Sequence, residues 1–338
     1  MTAVEGDALL DVRGLTKTFP APQGLVDRWR GKPRKVVRAL TDVDLTVRRG
    51  ETLGIVGESG CGKSTLARCL VRLYPADRGS VRYAGEDVLS LGGDELRRYH
   101  RRVQMIFQDP FSSLNPRMTV GQVLREVLTV HRLRPREGMD ARVTELLSLV
   151  GLPAEAAGRL PHEFSGGQRQ RIGIARALAL EPECIVADEL VSALDVSVQA
   201  QVVNLLLELQ EKLGLTVLFV AHDLRLVRHL SHRVAVMYLG RVVEVAPTNV
   251  LFERPAHPYT RALLAAAPHL DPAHRVDAPA LSGELPSPLD VPSGCPFRTR
   301  CPHAFDRCVT ERPELLDVGA GQQVACHLFD PAASAGGR

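Results

Sequence analysis

Short apolar runs alternate along the chain with segments whose apolar residues recur at helical spacing. The runs TLGIVG (52–57), CIVADE (184–189) and TVLFVAH (216–222) are typical of strands that are buried on both faces of a parallel sheet. KSTLARCLVRL (63–73) and VSVQAQVVNLLLELQEKLG (196–214) have apolar residues three and four positions apart, and Gly214 is predicted to end the second helix. This alternation continues to about residue 250 and predicts an α/β layered fold with a parallel sheet.

Two regions depart from the alternation. Residues 113–180 carry few strand signals and are predicted to form a helical insertion. Further along, PAHPYTRALLAAAPHL (255–270) predicts one short helix, and the polar segment after it is expected to be a linker or an irregular module with prolines at Pro272, Pro279, Pro286, Pro288 and Pro292. The pattern predicts an α/β domain over 8–254, a small module over 255–330 and a disordered end at 331–338.

Composition and charge narrow the range of partners. The 338 residues include 42 basic and 39 acidic ones, and a net charge of +3 is too even for nucleic acid to be the main partner. The basic run Arg28–Arg38 is expected to be a solvated loop, with a lipid-headgroup contact as the alternative. No apolar run reaches ~18 residues, and MTAVEGDALL lacks the features of a signal peptide. We therefore expect a cytosolic chain with reduced thiols.

The segment GESGCGKST (57–65) matches the phosphate-binding pattern G-x-x-x-x-G-K-[ST] between a predicted strand and a predicted helix. Its glycines let the backbone approach a phosphate closely, and the N–H groups at the helix start favour negative charge. Lys63 is expected to reach the β- and γ-phosphates, and Ser64 to offer its hydroxyl to Mg²⁺. The expected nucleotide contacts in this loop are Gly57, Ser59, Gly60, Cys61, Gly62, Lys63, Ser64 and Thr65.

The apolar strand CIVADE ends in two carboxylates. Asp188 is placed to bind Mg²⁺ directly or through water, and Glu189 is placed to orient or deprotonate an attacking water. A helix N-cap is the alternative role for this pair, and it would be preferred if the phosphate loop were absent. The two motifs together predict a site for nucleotide hydrolysis.

The stretch FSGGQRQRIGIARAL (164–178) resembles the signature motif of ATP-binding cassette (ABC) ATPases. Generic structure explains only a small part of it, because Ser165 can also cap the helix that follows. In the family that it resembles, this helix start binds the γ-phosphate of an ATP molecule held by the opposite subunit. Phe164 stands where Leu is commoner, and the resemblance implies nucleotide contacts for Ser165, Gly166, Gly167 and Gln168.

Further elements of the cassette follow in the family's order. Gln108 in MIFQDP resembles the Q-loop glutamine, Asp195 in SALD the D-loop residue at the dimer seam, and His222 in FVAHD the switch histidine that contacts the γ-phosphate. By the same resemblance, Gln108 joins Ser64 and Asp188 as a contact of ATP-bound Mg²⁺. Phe19 takes the place of the adenine-stacking aromatic, with core packing as its alternative role. Leu190 replaces the usual proline and is expected to loosen the approach to the D-loop in a site that stays active.

Four stretches narrow the resemblance to the ATPase subunits of oligopeptide and dipeptide importers: GESGCGKST, QDPFSSLNPRMTVG, VSALDVSVQAQ and HPYTRALL. The resemblance covers about residues 8–330 and implies a P-loop NTPase cassette, with a mixed sheet and a helical insertion, that hydrolyses ATP at the cytoplasmic face of the membrane. It implies as partners a second ATPase subunit (a paralogue or a second copy), two integral membrane permease subunits and a solute-binding protein.

Other functions remain open at this stage. Some members of the resembling family import nickel or another small solute instead of peptides. A soluble cassette ATPase that acts on nucleic acid or ribosomes is the alternative from another class, although this sequence shows no second cassette, coiled-coil insertion or strong basic patch. An inactive regulatory cassette is a third reading, and the presence of Lys63, Asp188, Glu189 and His222 argues against it.

Four of the seven cysteines lie near the end of the chain with the spacing C-x5-C-x6-C-x17-C. Gaps this wide suit an iron–sulfur cluster better than zinc, which favours tight pairs, and a disulfide is disfavoured in the cytosol. Some importer ATPases of the resembling subfamily carry a cluster at a similar pattern. The expectation is therefore a 4Fe–4S cluster, with zinc or no metal as alternatives, at Cys295, Cys301, Cys308 and Cys326. His303 and His327 are expected to be surface residues rather than ligands.

Overall fold

The computed structural model describes residues 8–23, 29, 34–108, 114–133, 135–192, 194–266 and 284–330. The strands are β1 (Ala8–Pro20), β2 (Val36–Arg48), β3 (Thr52–Val56), β4 (Arg78–Tyr83), β5 (Glu86–Asp87), β6 (Val103–Ile106), β7 (Cys184–Asp188), β8 (Thr216–Val220), β9 (Arg233–Tyr238), β10 (Arg241–Pro247), β11 (Leu316–Gly319) and β12 (Gln322–Val324).

The α-helices are α1 (Lys63–Leu70), α2 (Gly93–Arg102), α3 (Val120–Val130), α4 (Met139–Leu149), α5 (Gly166–Leu178), α6 (Val196–Leu213), α7 (Leu224–Leu230), α8 (Thr248–Glu253), α9 (Pro258–Ala266) and α10 (Asp306–Thr310). Single 3₁₀ turns add short helical segments at Arg136–Gly138, Ala154–Gly158, Pro161–Glu163 and His327–Phe329. In the described part of the chain, no helix is long and apolar enough to cross a membrane.

The chain divides into two compact units. The first comprises residues 1–47, 53–89 and 222–338, and the second comprises residues 48–52 and 90–221. The predicted end at 331–338, residues 28 and 30–33 of the basic run, and the prolines Pro268, Pro272 and Pro279 lie outside the described residues. The predicted division at residues 254 and 255 stays a prediction.

The first unit contains an antiparallel sheet in the order β2-β1-β4-β5 and a second run of strands in the order β11-β12-β10-β9-β3. Strand β3 pairs with β9 in parallel, whereas β10 pairs with β9 and with β12 in antiparallel fashion, so this sheet is mixed. Every residue of β3 is buried, as its unbroken apolar run predicts. The hydrophobic pattern does not predict β11 and β12, because strands of three and four residues are too short to show a period.

In the second unit, β6, β7 and β8 form parallel pairs, and β7 and β8 are buried at every residue. Helix α6 ends at Gly214, which has a left-handed φ of 65°, as the sequence predicts. The described residues between 114 and 180 form helices and connecting segments and contain no strand. Both units contain an α/β arrangement, and the three predicted strands and the two predicted helices between them appear as β3, β7, β8, α1 and α6.

Candidate active site

The predicted phosphate loop connects β3 to α1 in the first unit. Gly57, Gly60 and Gly62 all have positive φ, at 152°, 80° and 106°. A Cβ at Gly57 would lie 2.2 Å from the carbonyl oxygen of Met237, and one at Gly62 would lie 2.3 Å from that of Ala39. Because real Cβ atoms do not approach backbone oxygens so closely, glycine is required at both ends of the loop.

Lys63 is the first residue of α1, and its ammonium lies within the curve of the loop. It donates hydrogen bonds to the carbonyl oxygens of Gly57 at 2.8 Å and Glu58 at 3.1 Å, and the residue is only 4% exposed. The buried positive charge and the N–H groups at the start of α1 combine into a cradle for an anion. Cys61 is fully buried beside this lysine, and burial raises the pKa of its thiol.

The other predicted residues of the loop differ in exposure. Ser59 is exposed, whereas Ser64 and Thr65 are half-buried on the first turn of α1. Phe19 is half-buried near the end of β1, where its ring lies 5.3 Å from that of Tyr74 in an edge-on contact. His222 is exposed and directly precedes Asp223, which caps α7 by accepting a hydrogen bond from the backbone N–H of Arg225. All of these residues belong to the first unit. The adenine contact of Phe19 stays a prediction.

In the second unit, the structure brings Gln108 and Glu189 into direct contact. The Gln108 amide, just after β6, donates to the Glu189 carboxylate at 2.7 Å and to the Ser192 hydroxyl at 3.3 Å. Asp188 ends β7 and is 2% exposed, while the Glu189 side chain after it is half-buried. A carboxylate that an amide holds in place in this way is suited to accept a proton from a positioned water.

The backbone turns sharply after β7. Glu189 has a φ of 49°, and its N–H donates to the carbonyl of Val220 at 3.0 Å. Leu190, the predicted departure from the family pattern, is 1% exposed. The Gln199 side chain holds the following turn by donating to the carbonyls of Val191 and Leu194, each at 3.0 Å. Its two bonds restrain the approach to Asp195, although Leu190 cannot fix the backbone as proline would.

The glycine-rich motif starts helix α5. Ser165 forms a reciprocal cap with Gln168, because the Gln168 N–H donates to the Ser165 hydroxyl at 3.3 Å and the Ser165 N–H donates to the Gln168 side chain at 3.0 Å. A Cβ on Gly167 would lie 2.3 Å from the side chain of Val198, whereas Gly166 leaves more room. Ser165 itself is exposed, so the start of this helix faces solvent.

Asp195 is exposed and precedes α6. Its side chain makes no hydrogen bond with the helix start, although its carbonyl accepts from the N–H groups of Val198 and Gln199 at 2.9 and 2.8 Å. The predicted residues thus fall into two groups, with the phosphate loop, Phe19 and His222 in the first unit and the others in the second.

The prediction of a metal cluster at the four cysteines is wrong. All four lie among the described residues, and those residues contain no group of three or more His, Cys, Asp and Glu side chains placed to hold a metal ion. Burial raises the pKa of Cys295 and of Cys326 to about 11, and it also raises that of Cys301, so without a metal these groups are neutral thiols near pH 7. The described part of the chain thus supports neither an iron–sulfur cluster nor a zinc site at these cysteines.

The histidines near those cysteines differ from one another. His303 is exposed as expected, but His327 is 4% exposed and its Nε2 lies 3.0 Å from the carbonyl oxygen of Glu311. Backbone pairing contributes to order in this region, since the Cys295 N–H donates to the Cys308 carbonyl at 2.9 Å. The segment is therefore held by hydrogen bonds between its own residues and by the pairing of β12 with β10.

Sequence reasoning missed a contact at the phosphate loop itself. Arg300 donates two hydrogen bonds to the Glu58 carboxylate, at 2.7 and 3.1 Å, and the Tyr259 hydroxyl accepts from the Glu58 N–H at 2.9 Å. Arg300 follows Glu58 by 242 positions, so no local pattern reports the pair. The available signal was an acidic residue inside a loop that binds anions.

Comparison with known proteins agrees with this geometry. The family model described as ABC transporter matches residues 40–192, and the one described as oligopeptide/dipeptide transporter, C-terminal region, matches residues 243–308. The probable peptide ABC transporter ATP-binding protein y4tS of Sinorhizobium fredii is 54% identical over 97% of this chain and 92% of its own length. The oligopeptide transport ATP-binding protein AppF of Bacillus subtilis is 49% identical over 97% of this chain and all of its own.

Solved structures show the same fold. The ATP-binding cassette MJ0796, in a dimeric post-hydrolysis state bound to ADP and phosphate, is 30% identical with a TM-score of 0.61 over 71% of this chain and 98% of its own. The fold and the phosphate site thus define an ABC ATPase, an enzyme that hydrolyses ATP. More closely, the chain belongs to the family of ABC transporter ATP-binding proteins that carry the oligopeptide/dipeptide transporter C-terminal region.

Proposed function

We propose that this chain is the ATP-hydrolysing subunit of an importer that takes up dipeptides or oligopeptides. The observation that carries the proposal is the similarity to peptide-transport ATP-binding proteins over 97% of the chain, which includes both the cassette and the C-terminal region. The geometry agrees with the chemical part, because the loop around Lys63 suits a phosphate chain and the Gln108–Glu189 pair suits water activation.

The residues present fit ATP with Mg²⁺. Hydroxyl, carboxylate and amide oxygens are the ligands that Mg²⁺ prefers, and Ser64, Asp188 and Gln108 supply one of each. Since the Gln108 nitrogen donates to Glu189, its oxygen is the atom left to face a cation. When bound, Mg²⁺ neutralises charge on the phosphates. Lys63 binds the β- and γ-phosphates, Glu189 accepts the proton of the attacking water, and His222 contacts the γ-phosphate.

The exposed start of α5 supports a pairing of this chain with a second ATPase subunit. We assign Ser165, Gly166, Gly167 and Gln168 to the ATP bound by a second ATPase subunit, either another copy or a paralogue, with Asp195 at the seam between them. Two integral membrane permease subunits and a solute-binding protein complete the assembly. The chain then works at the cytoplasmic face of the membrane, as a peripheral subunit whose ATP-driven closure moves the permease.

The alternatives have less support. Import of nickel or another small solute by the same type of machine would leave every residue of the ATP site unchanged. A soluble ATPase acting on nucleic acid or ribosomes is not favoured by relatives named for peptide transport over nearly the full chain.

The test combines hydrolysis with transport. Glu189→Gln should keep ATP binding and lower hydrolysis by at least about a hundredfold, since it removes a general base. Glu211→Gln, an exposed change on α6, is the matched control and should hydrolyse ATP normally. Wild-type turnover by the first variant would refute the assignment of Glu189.

For the transport part, the chain is co-expressed with its permease partners, purified and reconstituted into liposomes with the solute-binding protein. We expect ATP-dependent uptake of a labelled peptide, and no uptake with the Glu189→Gln subunit. Uptake of labelled nickel in place of peptide would refute the proposed substrate, and failure to purify with any membrane subunit would refute the importer role.

A further inference from the structure

Glu58, the second residue of the phosphate loop, is held at all three of its polar groups. Its N–H donates to the Tyr259 hydroxyl at 2.9 Å, and its carbonyl accepts from the Lys63 ammonium at 3.1 Å. Its carboxylate accepts both hydrogen bonds from Arg300. We call these three partners of Glu58, namely Tyr259, Lys63 and Arg300, the Glu58 clamp.

The ion pair in the Glu58 clamp has a strong geometry. A guanidinium that donates two parallel bonds to one carboxylate fixes its orientation as well as its position. The Arg300 side chain is 5% exposed and that of Glu58 is 25% exposed, so solvent screens this pair less than it would a surface pair. The bonds to Glu58 also raise the pKa of Arg300 above its ordinary value, which keeps the guanidinium charged at every relevant pH.

The groups that form the clamp are themselves rigidly packed. The rings of Tyr238, Tyr259 and Phe297 are all buried, and their centroids are 4.7 to 5.5 Å apart. The Arg300 N–H donates to the Phe297 carbonyl at 3.0 Å, and its guanidinium lies 6.0 Å from the Tyr238 ring. Since this aromatic cluster fixes the backbone of Arg300 and the ring of Tyr259, the clamp restrains Glu58 against a rigid surface.

The restraint on Glu58 extends to the atoms that bind phosphate. The Lys63 ammonium is shared between the carbonyls of Glu58 and its neighbour Gly57. A rotation of Glu58 would therefore move both the lysine and the backbone N–H groups of the loop. No other residue of the loop has an ion pair to the terminal segment among the described contacts.

We propose that Arg300 is a positioning residue for ATP. By holding Glu58, it keeps the phosphate loop in the conformation that binds the nucleotide, and so makes ATP affinity depend on the terminal segment 284–330. The proposal rests on ATP binding by the cassette and not on the transported solute. A failure of peptide uptake would therefore leave its test intact.

The test measures ATP affinity and turnover separately in the full-length chain. Arg300→Met keeps the length of the side chain but removes both hydrogen bonds, and it should raise the Kd and the KM for ATP about tenfold. Glu58→Gln should raise them about threefold, because a neutral amide is a weaker partner for the guanidinium. The kcat should stay within about twofold of wild type in both, since the catalytic groups are unchanged.

The Glu58→Gln variant distinguishes a positioning role of the clamp from a purely electrostatic effect of the Glu58 charge on ATP. Removing a negative charge beside the phosphates would strengthen ATP binding if the clamp had no positioning role. The double variant should bind ATP no more weakly than Arg300→Met, because both changes break the same contact. Arg298→Met is the matched control, because the only described hydrogen bond of the Arg298 side chain is to the Ser293 hydroxyl, and its ATP affinity should equal that of wild type.

Two results would overturn the proposal. One is equal or tighter ATP binding by Glu58→Gln, and the other is unchanged ATP affinity in Arg300→Met, whether or not its thermal midpoint is lowered. If Arg300→Met does not fold, Arg300→Lys takes its place. Lysine keeps the charge but cannot form the two parallel bonds, so its ATP affinity should lie between those of wild type and Glu58→Gln, and wild-type affinity would refute the role of the paired geometry.

Discussion

Glu244 is a fully buried carboxylate on β10 that connects three separate segments of the first unit. One of its oxygens accepts from the Ala256 N–H at 2.9 Å and from the Gln322 side chain at 2.6 Å, and the other accepts from the His257 N–H at 2.9 Å. A buried carboxylate is tolerated only when such donors satisfy it. We therefore expect Glu244→Gln to loosen the start of α9.

The size of this effect follows from the geometry. In one orientation of the new amide, its NH₂ group faces the His257 N–H, and in the other it faces the donors of Ala256 and Gln322. At least one buried N–H thus loses its acceptor in either orientation. A lost bond to a charged group costs about 1.5–3 kcal/mol, and an unsatisfied buried donor raises the total toward 3 kcal/mol. A local opening that is easier by about 3 kcal/mol exchanges its amides roughly a hundredfold faster.

Hydrogen exchange followed by mass spectrometry on peptides that span residues 255–266 measures this opening directly. Glu253→Gln is the matched control, because Glu253 is exposed at the end of α8, and its exchange should equal that of wild type. The energetic reasoning is refuted if the amides of Ala256 and His257 exchange within about threefold of the wild-type rate in Glu244→Gln.

Two further predictions concern the loop and the buried histidine. Gly57→Ala should abolish ATP binding, because its Cβ would lie 2.2 Å from a backbone oxygen. Gly92→Ala, with open space around it, is the control and should bind ATP normally. The measurement is the ATP affinity of both variants. Burial lowers the pKa of His257 to about 3 in the folded chain. Between pH 6.5 and 3 this histidine is therefore protonated in the unfolded chain but neutral in the folded one. The free energy of unfolding should fall by at most about 1.4 kcal/mol per pH unit as the pH drops through this range. The free energy of unfolding, measured with urea at several pH values in this range, should depend less steeply on pH in His257→Asn than in wild type. The exposed His303→Asn should show the wild-type dependence, and the same dependence in all three proteins would contradict the assignment.

The features that the sequence predicts well are local ones. The strand–loop–helix around Lys63 follows from an apolar run, three glycines and a helical period within about twenty residues. The cap formed by Ser165 and Gln168 is equally local, since its two partners are three positions apart. The Gln108–Glu189 contact spans 81 positions, and only the resemblance to a family, not a period or a spacing, placed both residues in one site.

The features that escaped prediction depend on distant partners. Glu244 stands in the apolar strand RVVEVAP, and a lone carboxylate among buried valines was the sign that donors from elsewhere must reach it. Arg300 gave no such sign, because it lies in a segment with little hydrophobic pattern. The cysteines misled for the opposite reason. Their spacing suggested ligands, whereas three of the four are largely buried side chains of a small folded segment.

The left-handed backbone of Glu189 has a consequence for any attempt to make this chain more heat-resistant. A residue with a Cβ costs roughly 1–2 kcal/mol in this conformation, and glycine would adopt it without strain. A screen that scores only resistance to unfolding would therefore favour glycine at position 189, and every molecule it selected would lack the carboxylate that faces Gln108. Heat resistance and ATP turnover thus place opposite demands on this residue. Substitutions that stabilise the enzyme without loss of activity have to be made at other turns.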